Sequence, residues 1–451
     1  MKIGFISLGC SKNQLDTEVM LHELVTAGYE ITPDETEADI VVVNTCAFIE
    51  SAKKEAIDNI LDVAWLKKNK GLKAIIVTGC LAERYREEIF TELPEVDALL
   101  GVGSIHHITE AVESVVKRLS DKKVPKYASF DDKNGVRLGG DRVLTTPEFF
   151  SYLKVAEGCD NRCTYCAIPA IRGRYRSRPM EELVNEAKDL ESLGVKELNV
   201  IAQDVTRYGK DLYGSYRLHE LLRRITEETS IPWLRILYCY PDKITDELIA
   251  ELRDNDRVLK YIDLPLQHIA DPVLKRMNRH GDSKMIRDVL AKLRREVPGI
   301  VIRTTFIVGF PGETEEDFEE LCRFVEEQRF EHMGVFTYSP EEGTPAATMD
   351  GQIDEQTKQD RMDILMKLQM QINAEQNEEK IGKTIRVLTE DYDPVSEAHF
   401  GRSAADAPDI DGKVYFKSAR RVAPGTMIDV KIREAVDYDL FGRAVLSKEE
   451  K

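Results

Sequence analysis

The sequence contains no long apolar run and few cysteines. Its uninterrupted apolar stretches, such as residues 40–43 and 74–77, fall far short of the roughly 18 residues that a transmembrane helix needs. Eight cysteines in 451 residues are too few for a disulfide scaffold, which indicates a reducing compartment. We therefore predict a cytoplasmic protein that does not cross a membrane.

The chain also has fewer basic residues than acidic residues. The chain carries 63 Lys and Arg against 81 Asp and Glu, a formal net charge of −18. Because nonspecific nucleic-acid binders are usually basic, this balance argues against a broad phosphate-binding surface and fits a basic partner. The apolar fraction of 42% is ordinary for a globular protein and excludes wholesale disorder.

The N-terminal part of the chain repeats a strand–helix unit. Short apolar runs at residues 2–7, 39–43, 73–78 and 96–100 alternate with amphipathic helical patterns, which predicts a parallel sheet with helices on both faces. Cys10, Cys46 and Cys80 each lie just past one of the first three strands. Because open α/β sheets gather ligands at the carboxyl ends of their strands, we expect these cysteines to converge.

Six strand-like runs, most of them followed by helical patterns, fill the middle of the chain. They are residues 151–156, 195–201, 234–240, 261–266, 301–308 and 333–338, and they predict a (βα)6 array, smaller than the eight-unit barrel. A long polar helix is expected over residues 354–380. Short strands at 384–389, 413–416, 427–432 and 443–445 then predict a small antiparallel barrel.

The predicted fold class is therefore α/β, with several domains in sequence. We expect a parallel α/β domain over residues 1–120 and a linker rich in Asp, Lys, Gly and Pro over 121–148. The partial barrel is assigned to residues 149–376 and the small antiparallel β-barrel to residues 377–448.

The sharpest motif is the C-x₃-C-x₂-C set of Cys159, Cys163 and Cys166. A structural zinc site would need four ligands, and no fourth Cys or His lies nearby in the sequence. A helix face of buried cysteines is a second alternative, which Gly158 and Asn161 disfavour. Three thiolates suit a four-iron cluster with one iron left open to a small chelator.

The N-terminal cysteines are informative as a set of three rather than singly: they are Cys10, Cys46 and Cys80. A single cysteine at a strand end is more often a small buried hydrophobe than a ligand. Three at equivalent positions favour a second cluster with an open iron, because helix N-termini there lower thiol pKa values. Cys239 and Cys322 are not part of a set of cysteines at equivalent positions, and we predict that both belong to the core.

Three motifs carry a resemblance to a known family. They are Ser7-Leu8-Gly9-Cys10-Ser11-Lys12-Asn13, then Tyr165-Cys166-Ala167-Ile168-Pro169-Ala170-Ile171-Arg172-Gly173 with Arg176-Ser177-Arg178, and Leu264-Pro265-Leu266-Gln267-His268. The whole chain resembles the methylthiotransferases, which join an N-terminal cluster domain, a radical S-adenosylmethionine (SAM) core and a C-terminal barrel of the TRAM type. The likeness is to the ribosomal-protein branch. The transfer-RNA branch usually shows Gly-Cys-Gln-Met-Asn and Leu-Gln-Ser-Gly, and this sequence departs from both.

The resemblance implies two 4Fe-4S clusters and SAM as cofactors. The cluster on Cys159, Cys163 and Cys166 would cleave SAM reductively, with an external low-potential electron donor, to give a 5′-deoxyadenosyl radical. The cluster on Cys10, Cys46 and Cys80 would hold sulfur, which a second SAM methylates. The implied acceptor is the β-carbon of an aspartate in the twelfth small-subunit ribosomal protein, free or in an assembled or assembling ribosome.

Residues outside the cysteine sets are weaker candidates for cofactor contact. By the resemblance, the segment from Thr305 to Thr314 borders the adenosyl site, although its Gly and Pro could serve turns alone. We assign cofactor binding to Gln203, Arg303 and Gly309. Together with Asp204, Tyr240 and His268, the first two are expected on or near the strands' carboxyl ends, the functional rim of a βα array. A structural hydrogen bond is the alternative for each.

The charge of the C-terminal domain bears on the partner. From residue 381 to 451 there are 12 basic and 13 acidic residues, a balance that suits a basic ribosomal protein better than transfer RNA. Lys417, Arg420 and Arg421 form a local basic cluster, which we interpret as a solvated rim. Two alternatives stay open at this stage: a methylthiotransferase acting on a modified adenosine of transfer RNA, and an iron–sulfur electron carrier or sensor.

Overall fold

The structure is a computed structural model that describes residues 1–445. Its strands are β1 Lys2–Ser7, β2 Glu30–Thr32, β3 Ile40–Thr45, β4 Ala74–Gly79, β5 Ala98–Leu100, β6 Tyr127–Ser129, β7 Phe150–Lys154, β8 Ala156–Glu157, β9 Arg176–Ser177, β10 Glu197–Ile201, β11 Trp233–Ile236, β12 Val258–Asp263, β13 Val301–Val308, β14 His332–Thr337, β15 Thr384–Asp393, β16 Ala398–Ser403, β17 Val414–Lys417, β18 Met427–Val436 and β19 Asp439–Ala444. The predicted C-terminal domain extends to residue 448, so its last residues, 446–448, lie outside the described residues.

Helices separate most of these strands. The α-helices are α1 Ser11–Thr26, α2 Glu50–Asn69, α3 Cys80–Tyr85, α4 Glu88–Glu92, α5 Ile108–Ser120, α6 Ile168–Arg172, α7 Met180–Ser192, α8 Lys210–Tyr213, α9 Leu218–Glu228, α10 Asp246–Asp254, α11 Asp271–Arg276, α12 Ser283–Glu296, α13 Glu315–Gln328 and α14 Glu355–Glu378. Short 3-10 helices lie at Glu35–Glu37, Val102–His107, Val205–Arg207, Pro241–Lys243 and Pro345–Thr348. Within residues 1–445, no helix has both the length and the apolar composition of a membrane span.

The chain divides into two units. The first comprises Met1–Thr146, Ala156–Arg178 and Ser339–Ala347, and the second comprises Pro147–Val155, Pro179–Tyr338 and Thr348–Lys451. The first unit therefore takes up the segment that contains Cys159, Cys163 and Cys166, together with the N-terminal cysteines. The segment 156–178 belongs to the first unit, and the domain bounds expected from the sequence stay predictions.

A six-stranded parallel sheet forms the centre of the first unit, in the order β2-β1-β3-β4-β5-β6. Alternate residues of its inner strands enter two separate cores, with Val41 and Val43 in one and Ile40 and Val42 in the other. Strands buried on both faces explain the continuous apolar runs of the sequence. Within the stretch expected to be a linker, residues 127–129 form β6 at the edge of the sheet.

The second unit contains a six-stranded parallel array in the order β14-β13-β12-β11-β10-β7. This confirms the predicted partial (βα)6 fold. A closed barrel of order β15-β16-β17-β19-β18 follows. All its strand pairs are antiparallel except β17 with β19, which is parallel. Strand β16 was not expected, because Ala-His-Phe-Gly-Arg-Ser lacks the alternation that indicates a strand.

Buried ion pairs fix the C-terminal barrel to the parallel array of the same unit. The Glu197 carboxylate on β10 lies 2.7 Å from Arg235 Nε and 2.6 Å from Arg402 Nη1, and the three side chains are at most 1% exposed. Arg235 Nη1 also donates to the carbonyl of Ala404 at 3.0 Å. Because a buried charge is costly without its partner, these contacts make the barrel an integral part of the unit.

Candidate metal centre

The three N-terminal cysteines follow three neighbouring strands. Cys10 is the N-cap of α1 after β1, Cys46 follows β3, and Cys80 is the first residue of α3 directly after β4. These strands are adjacent in the order β1-β3-β4. All three cysteines are free thiols, of which Cys10 is exposed and the other two are buried.

A close approach at Gly9 brings the first two cysteines together. Gly9 has a φ of 91°, and a Cβ at this position would stand 2.8 Å from Cys46 Cβ and 3.2 Å from Cys46 Sγ. A side chain could not fit there, and the left-handed φ also favours glycine. The backbone that carries Cys10 therefore lies directly against Cys46.

Asn13 braces the strand ends that carry the cysteines. Its Nδ2 donates to the carbonyl oxygens of Leu8 at 3.0 Å and Thr45 at 2.8 Å. Its Oδ1 accepts a contact of 3.7 Å from Cys80 Sγ. Asn13 is fully buried, so these bonds are shielded from water, and they connect the ends of β1 and β3 with Cys80.

A buried arginine reaches the same place from the segment that follows the second cysteine set. Arg172, the last residue of α6, is 2% exposed. Its Nη1 donates to Asp16 Oδ2 at 2.6 Å and lies 3.4 Å from Glu157 Oε2. Its Nη2 donates to Asn13 Oδ1 and lies 3.6 Å from Cys80 Sγ. Both cysteine segments are therefore linked through this guanidinium.

Burial dominates the protonation of the N-terminal thiols. It raises the pKa of Cys80 to about 12, although the charge of Arg172 opposes this rise. Burial also raises the pKa of the Cys46 thiol, and the nearby Cys10 adds to the effect. The Cys46 and Cys80 thiols therefore stay protonated near neutral pH until a metal replaces their protons, so that metal binding releases protons. For these two thiols, the lowered pKa expected from helix N-termini is corrected, because burial outweighs the opposing charges.

Cys159, Cys163 and Cys166 lie on an irregular loop between β8 and α6. The Cys159 backbone N–H donates to the Gly173 carbonyl at 3.1 Å, and the Cys166 N–H donates to the Cys163 carbonyl at 3.1 Å. Arg162 has a φ of 53°, a left-handed value that interrupts any regular element. The alternative of a helix face of buried cysteines is therefore wrong.

The donor chemistry of both sets fits a four-iron cluster, which is held by cysteine thiolates. Each set offers three thiols in one folded unit, with Cys46, Cys80, Cys159 and Cys163 buried. Within residues 1–445 no group of three or more His, Cys, Asp or Glu side chains is arranged to hold a single metal ion.

The candidates for cofactor contact outside the cysteine sets lie in the second unit. Gln203 follows the end of β10 and Gly309 follows the end of β13. Gly309 has a φ of 70°, and an added Cβ would overlap the side chain of Lys358. Both therefore occupy carboxyl ends of strands, and their roles toward SAM stay predictions.

Arg303 departs from the expected position. It is the third residue of β13, near the beginning of the strand rather than its carboxyl end. Its Nη1 donates to Asp263 Oδ1 at 3.2 Å, and its Nε lies 3.4 Å from Asp411 Oδ1. Asp411 also accepts a hydrogen bond from the Tyr261 hydroxyl at 2.7 Å. The sequence pattern missed this ion pair because Asp411 lies more than a hundred residues away in the chain.

The glycine-rich segment after β13 also serves the fold. Thr314 is the N-cap of α13, and it forms a reciprocal capping box with Asp317. The preceding Glu313 is buried, lies 2.7 Å from Arg361 Nη1, and has a pKa raised to about 7 by its burial. His268, 3.7 Å from Glu313, is fully buried, and burial lowers its pKa to about 3. His268 is therefore neutral at physiological pH.

The two remaining cysteines lie apart from the cysteine sets. Cys239 is fully buried in the second unit, and Cys322 is half-buried on α13. Burial raises the pKa of Cys239 well above its ordinary value and that of Cys322 to about 11. A structural role for both agrees with this protonated state.

The basic cluster of the C-terminal barrel is exposed, and two of its members line a cavity. Arg420 and Arg421 line a cavity of about 550 Å³ together with Arg386. Arg386 Nη1 lies 3.2 Å from Asp429 Oδ1, which offsets part of the positive charge. Because Arg386 is distant in sequence, the expectation of a simple solvated rim could not include it.

Family models match three parts of the chain. Residues 2–101 match an uncharacterized protein family, UPF0004, residues 153–325 match the radical SAM superfamily, and residues 381–445 match the TRAM domain. These matches cover strands β1 to β5 of the N-terminal sheet, most of the parallel array and the C-terminal barrel.

Curated relatives resemble the chain over almost its whole length. The ribosomal protein uS12 methylthiotransferase RimO of Thermoanaerobacter sp. (strain X514) is 49% identical over 98% of this chain and 99% of its own. The protein of the same name from Desulforamulus reducens (strain ATCC BAA-1160 / DSM 100696 / MI-1) is 50% identical over 98% of both chains. Among solved structures, the radical SAM methyltransferase TsrM from Kitasatospora setae, with cobalamin and a 4Fe-4S cluster bound, has a TM-score of 0.56 at 15% identity and covers 76% of each chain. This likeness concerns the fold alone.

Proposed function

The chain belongs to the family of ribosomal protein uS12 methylthiotransferases named RimO, and on that premise we propose that it adds a methylthio group to the β-carbon of an aspartate in uS12. The observation that supports this most directly is the presence of both cysteine sets in one folded unit. An enzyme that only cleaves SAM would need one set. The additional set provides a place for sulfur.

The enzyme uses SAM and two 4Fe-4S clusters. When bound, these groups supply the hydrogen abstraction and the sulfur that no side chain can provide at an unactivated carbon. In the proposal, Cys159, Cys163 and Cys166 hold the cluster that binds SAM, and Cys10, Cys46 and Cys80 hold the other. The roles of Gln203, Arg303 and Gly309 toward SAM belong to the same proposal.

Three cysteine ligands per cluster would leave one iron of each cluster without a protein ligand. The protein's own part is to bury the ligands and exclude water from them, as the burial of Cys46 and Cys80 indicates. Asn13 and Gly9 keep the N-terminal ligands together through the contacts described above. Orientation and exclusion of water are what a protein contributes to cofactor chemistry of this kind.

We further propose that the C-terminal barrel helps to recognise uS12, free or within the ribosomal subunit. The near-neutral charge of this domain and the −18 of the chain are better suited to a basic protein than to a phosphate backbone. The proposal places the enzyme in the cytoplasm, where ribosomes and a low-potential electron donor are available.

Methylthiolation of purified acceptors separates the proposal from its nearest alternative. Reconstituted enzyme with SAM, a sulfur source and a chemical reductant is given either uS12 or transfer RNA that carries the modified adenosine. We expect the methylthio group on uS12 and none on transfer RNA. Product on transfer RNA alone would show that the acceptor is wrong.

The same reaction separates an enzyme from an electron carrier or sensor. A carrier would produce no 5′-deoxyadenosine when reduced with SAM, whereas the enzyme should produce it. A variant with Cys159, Cys163 and Cys166 changed to Ala is the matched control, because it keeps the N-terminal set and should form no 5′-deoxyadenosine. Equal product from this variant would contradict the assignment of that set.

A further inference from the structure

The guanidinium of Arg172 lies between two buried carboxylates and a buried thiol. It contacts Asp16 at 2.6 Å, Glu157 at 3.4 Å and Cys80 Sγ at 3.6 Å. All these side chains are buried. The segments that they come from are separate: α1 after Cys10, β8 before Cys159, and α3 at Cys80.

The buried carboxylates beside Arg172 carry negative charge that a cation must balance. Asp16 and Glu157 both pair with Arg172, and the charge of Arg176 also acts on Glu157. Three thiolates around an iron–sulfur cluster would add further negative charge in the same buried region, where an uncompensated charge is costly. The donors of Arg172 are also directed: Nη2 points to both Asn13 Oδ1 and Cys80 Sγ.

We propose that Arg172 is a positioning residue of the N-terminal cluster, which holds the Cys80 thiolate by an N–H···S hydrogen bond and makes the cluster easier to reduce. Hydrogen bonds to sulfur and local charge both set the potential of an iron–sulfur cluster. Loss of a nearby positive charge disfavours the addition of an electron. This inference rests on the proposed assignment of Cys10, Cys46 and Cys80 as ligands.

The proposal also explains why the arginine comes from the segment that follows the second cysteine set. Arg172 is six residues after Cys166 in the sequence. Through Arg172, the helix α6 after this loop is tied to Asn13 and Cys80 of the N-terminal set. We therefore expect changes at residue 172 to affect the N-terminal cluster, even though the residue belongs to the radical SAM motif.

The test is a redox titration of the N-terminal cluster alone. The full chain with Cys159, Cys163 and Cys166 changed to Ala serves as the parent, and EPR follows the reduction of its single cluster while iron is counted. Arg172→Met in this parent should shift the midpoint potential to a more negative value. Arg172→Lys keeps the charge and should recover part of the shift.

Two further variants control for the loss of a buried ion pair. Asp16→Asn combined with Arg172→Met removes a carboxylate that the single change would leave uncompensated. Arg142→Met breaks another buried pair of the same unit, with Glu18 at 2.8 Å, and should leave iron content and midpoint potential at the parent's values. Loss of iron in both Arg172→Met variants, with iron kept in folded Arg142→Met, also supports the role.

An Arg172→Met protein with the parent's iron and an unchanged midpoint potential would overturn the inference. If Arg172→Lys recovers none of the shift in midpoint potential, the role of charge is contradicted. A parent that holds no iron at all would instead contradict the assignment of Cys10, Cys46 and Cys80. The failure of the proposed function and the failure of this inference are thus distinguished by the iron content of the parent.

Discussion

At the scale of single residues, burial raises the pKa of two of the three N-terminal thiols, those of Cys46 and Cys80. The pKa of Cys80 is raised to about 12 mainly by its burial, and the charge of Arg172 reduces that effect. Metal binding must therefore displace protons from these thiols. The site is consequently expected to assemble more readily as the pH rises, because fewer protons then compete with iron.

The first prediction concerns the division of the cysteines. Changing Cys10, Cys46 and Cys80 together to Ala should lower the iron content of reconstituted protein from about eight to about four atoms per chain. Formation of 5′-deoxyadenosine should persist, because the other set is intact. Iron analysis and product quantification test this. If the triple variant loses all of its iron, or if it loses no iron, the division of the cysteines into two sets is refuted.

The second prediction concerns the cysteines outside the two sets. Cys239→Ala should cost on the order of 1–2 kcal/mol of unfolding free energy, as expected for a small buried side chain. Cys322→Ala should cost less, because Cys322 is only half-buried. Neither change should alter the iron content. Denaturant unfolding and iron analysis check this, and iron loss from a folded variant would identify a missed ligand.

The sequence motifs indicated which residues are candidates for the site, but not which of them contact one another. The motifs contained Asn13 and Arg172, but their contacts depend on which segments fold together. Asn13 meets Arg172 across 159 positions, a separation that no local pattern reveals. Arg303 shows the same limit, since its position near the start of β13 and its partner Asp411 both depend on tertiary structure.

At the scale of elements, the carboxyl ends of parallel strands bring the N-terminal cysteines together. The sequence predicted β1 and β13 with the bounds that the structure shows, because both are continuous apolar or alternating runs. It missed β2 and β6, which have only three residues each. It also missed β16, whose Arg402 is buried because of its partner Glu197 rather than its own hydropathy.

The third prediction concerns that buried network between β10, β11 and β16. Glu197→Gln should cost about 3–5 kcal/mol of unfolding free energy, because it leaves Arg235 buried without its counterion and leaves Arg402 with Glu390 alone. Glu375→Gln is the matched control, since Glu375 pairs at 2.6 Å with Arg329 and both side chains are about half exposed. It should cost below about 1 kcal/mol. Equal losses in the two variants would contradict the argument.

The pH dependence of the same network follows from the pKa of Glu197. Burial alone would raise this pKa, but Arg402 and Arg235 more than offset it, so the folded pKa lies below its ordinary value. Ionised Glu197 therefore contributes stability above the unfolded pKa, and this contribution is lost as pH falls through the folded pKa. Glu197→Gln should accordingly lose less stability than the unmodified chain on acidification. Unfolding midpoints measured from neutral to acidic pH test this, and parallel curves would refute it.

At the scale of the whole molecule, charge and architecture favour a basic protein as partner. The net charge is −18, and the C-terminal barrel is fixed to the parallel array by buried ion pairs. Removing the barrel would therefore expose these charges and damage the array. Its role in recognition is better tested by surface changes in the full chain.

The fourth prediction concerns binding of uS12. The affinity should fall as salt is added, because an acidic enzyme meets a basic protein. Transfer RNA should not displace uS12 at physiological salt. A variant with Arg386, Arg420 and Arg421 changed to Ala should bind uS12 at least as tightly as the unmodified chain does, since these positive side chains repel a basic partner. Displacement by transfer RNA that this variant abolishes would assign the cavity to RNA and contradict the recognition proposal.

The central claim is that this chain places a methylthio group on an aspartate of uS12. Mass spectrometry of ribosomal proteins from cells with and without the gene tests it most directly. The account predicts that uS12 gains the mass of one methylthio group in place of one hydrogen, that fragmentation locates it on an aspartate, and that it disappears when the gene is deleted or when Cys10, Cys46 and Cys80 are changed to Ala. An unmodified uS12 in cells that contain the active gene, or a modification that survives deletion, would contradict the account.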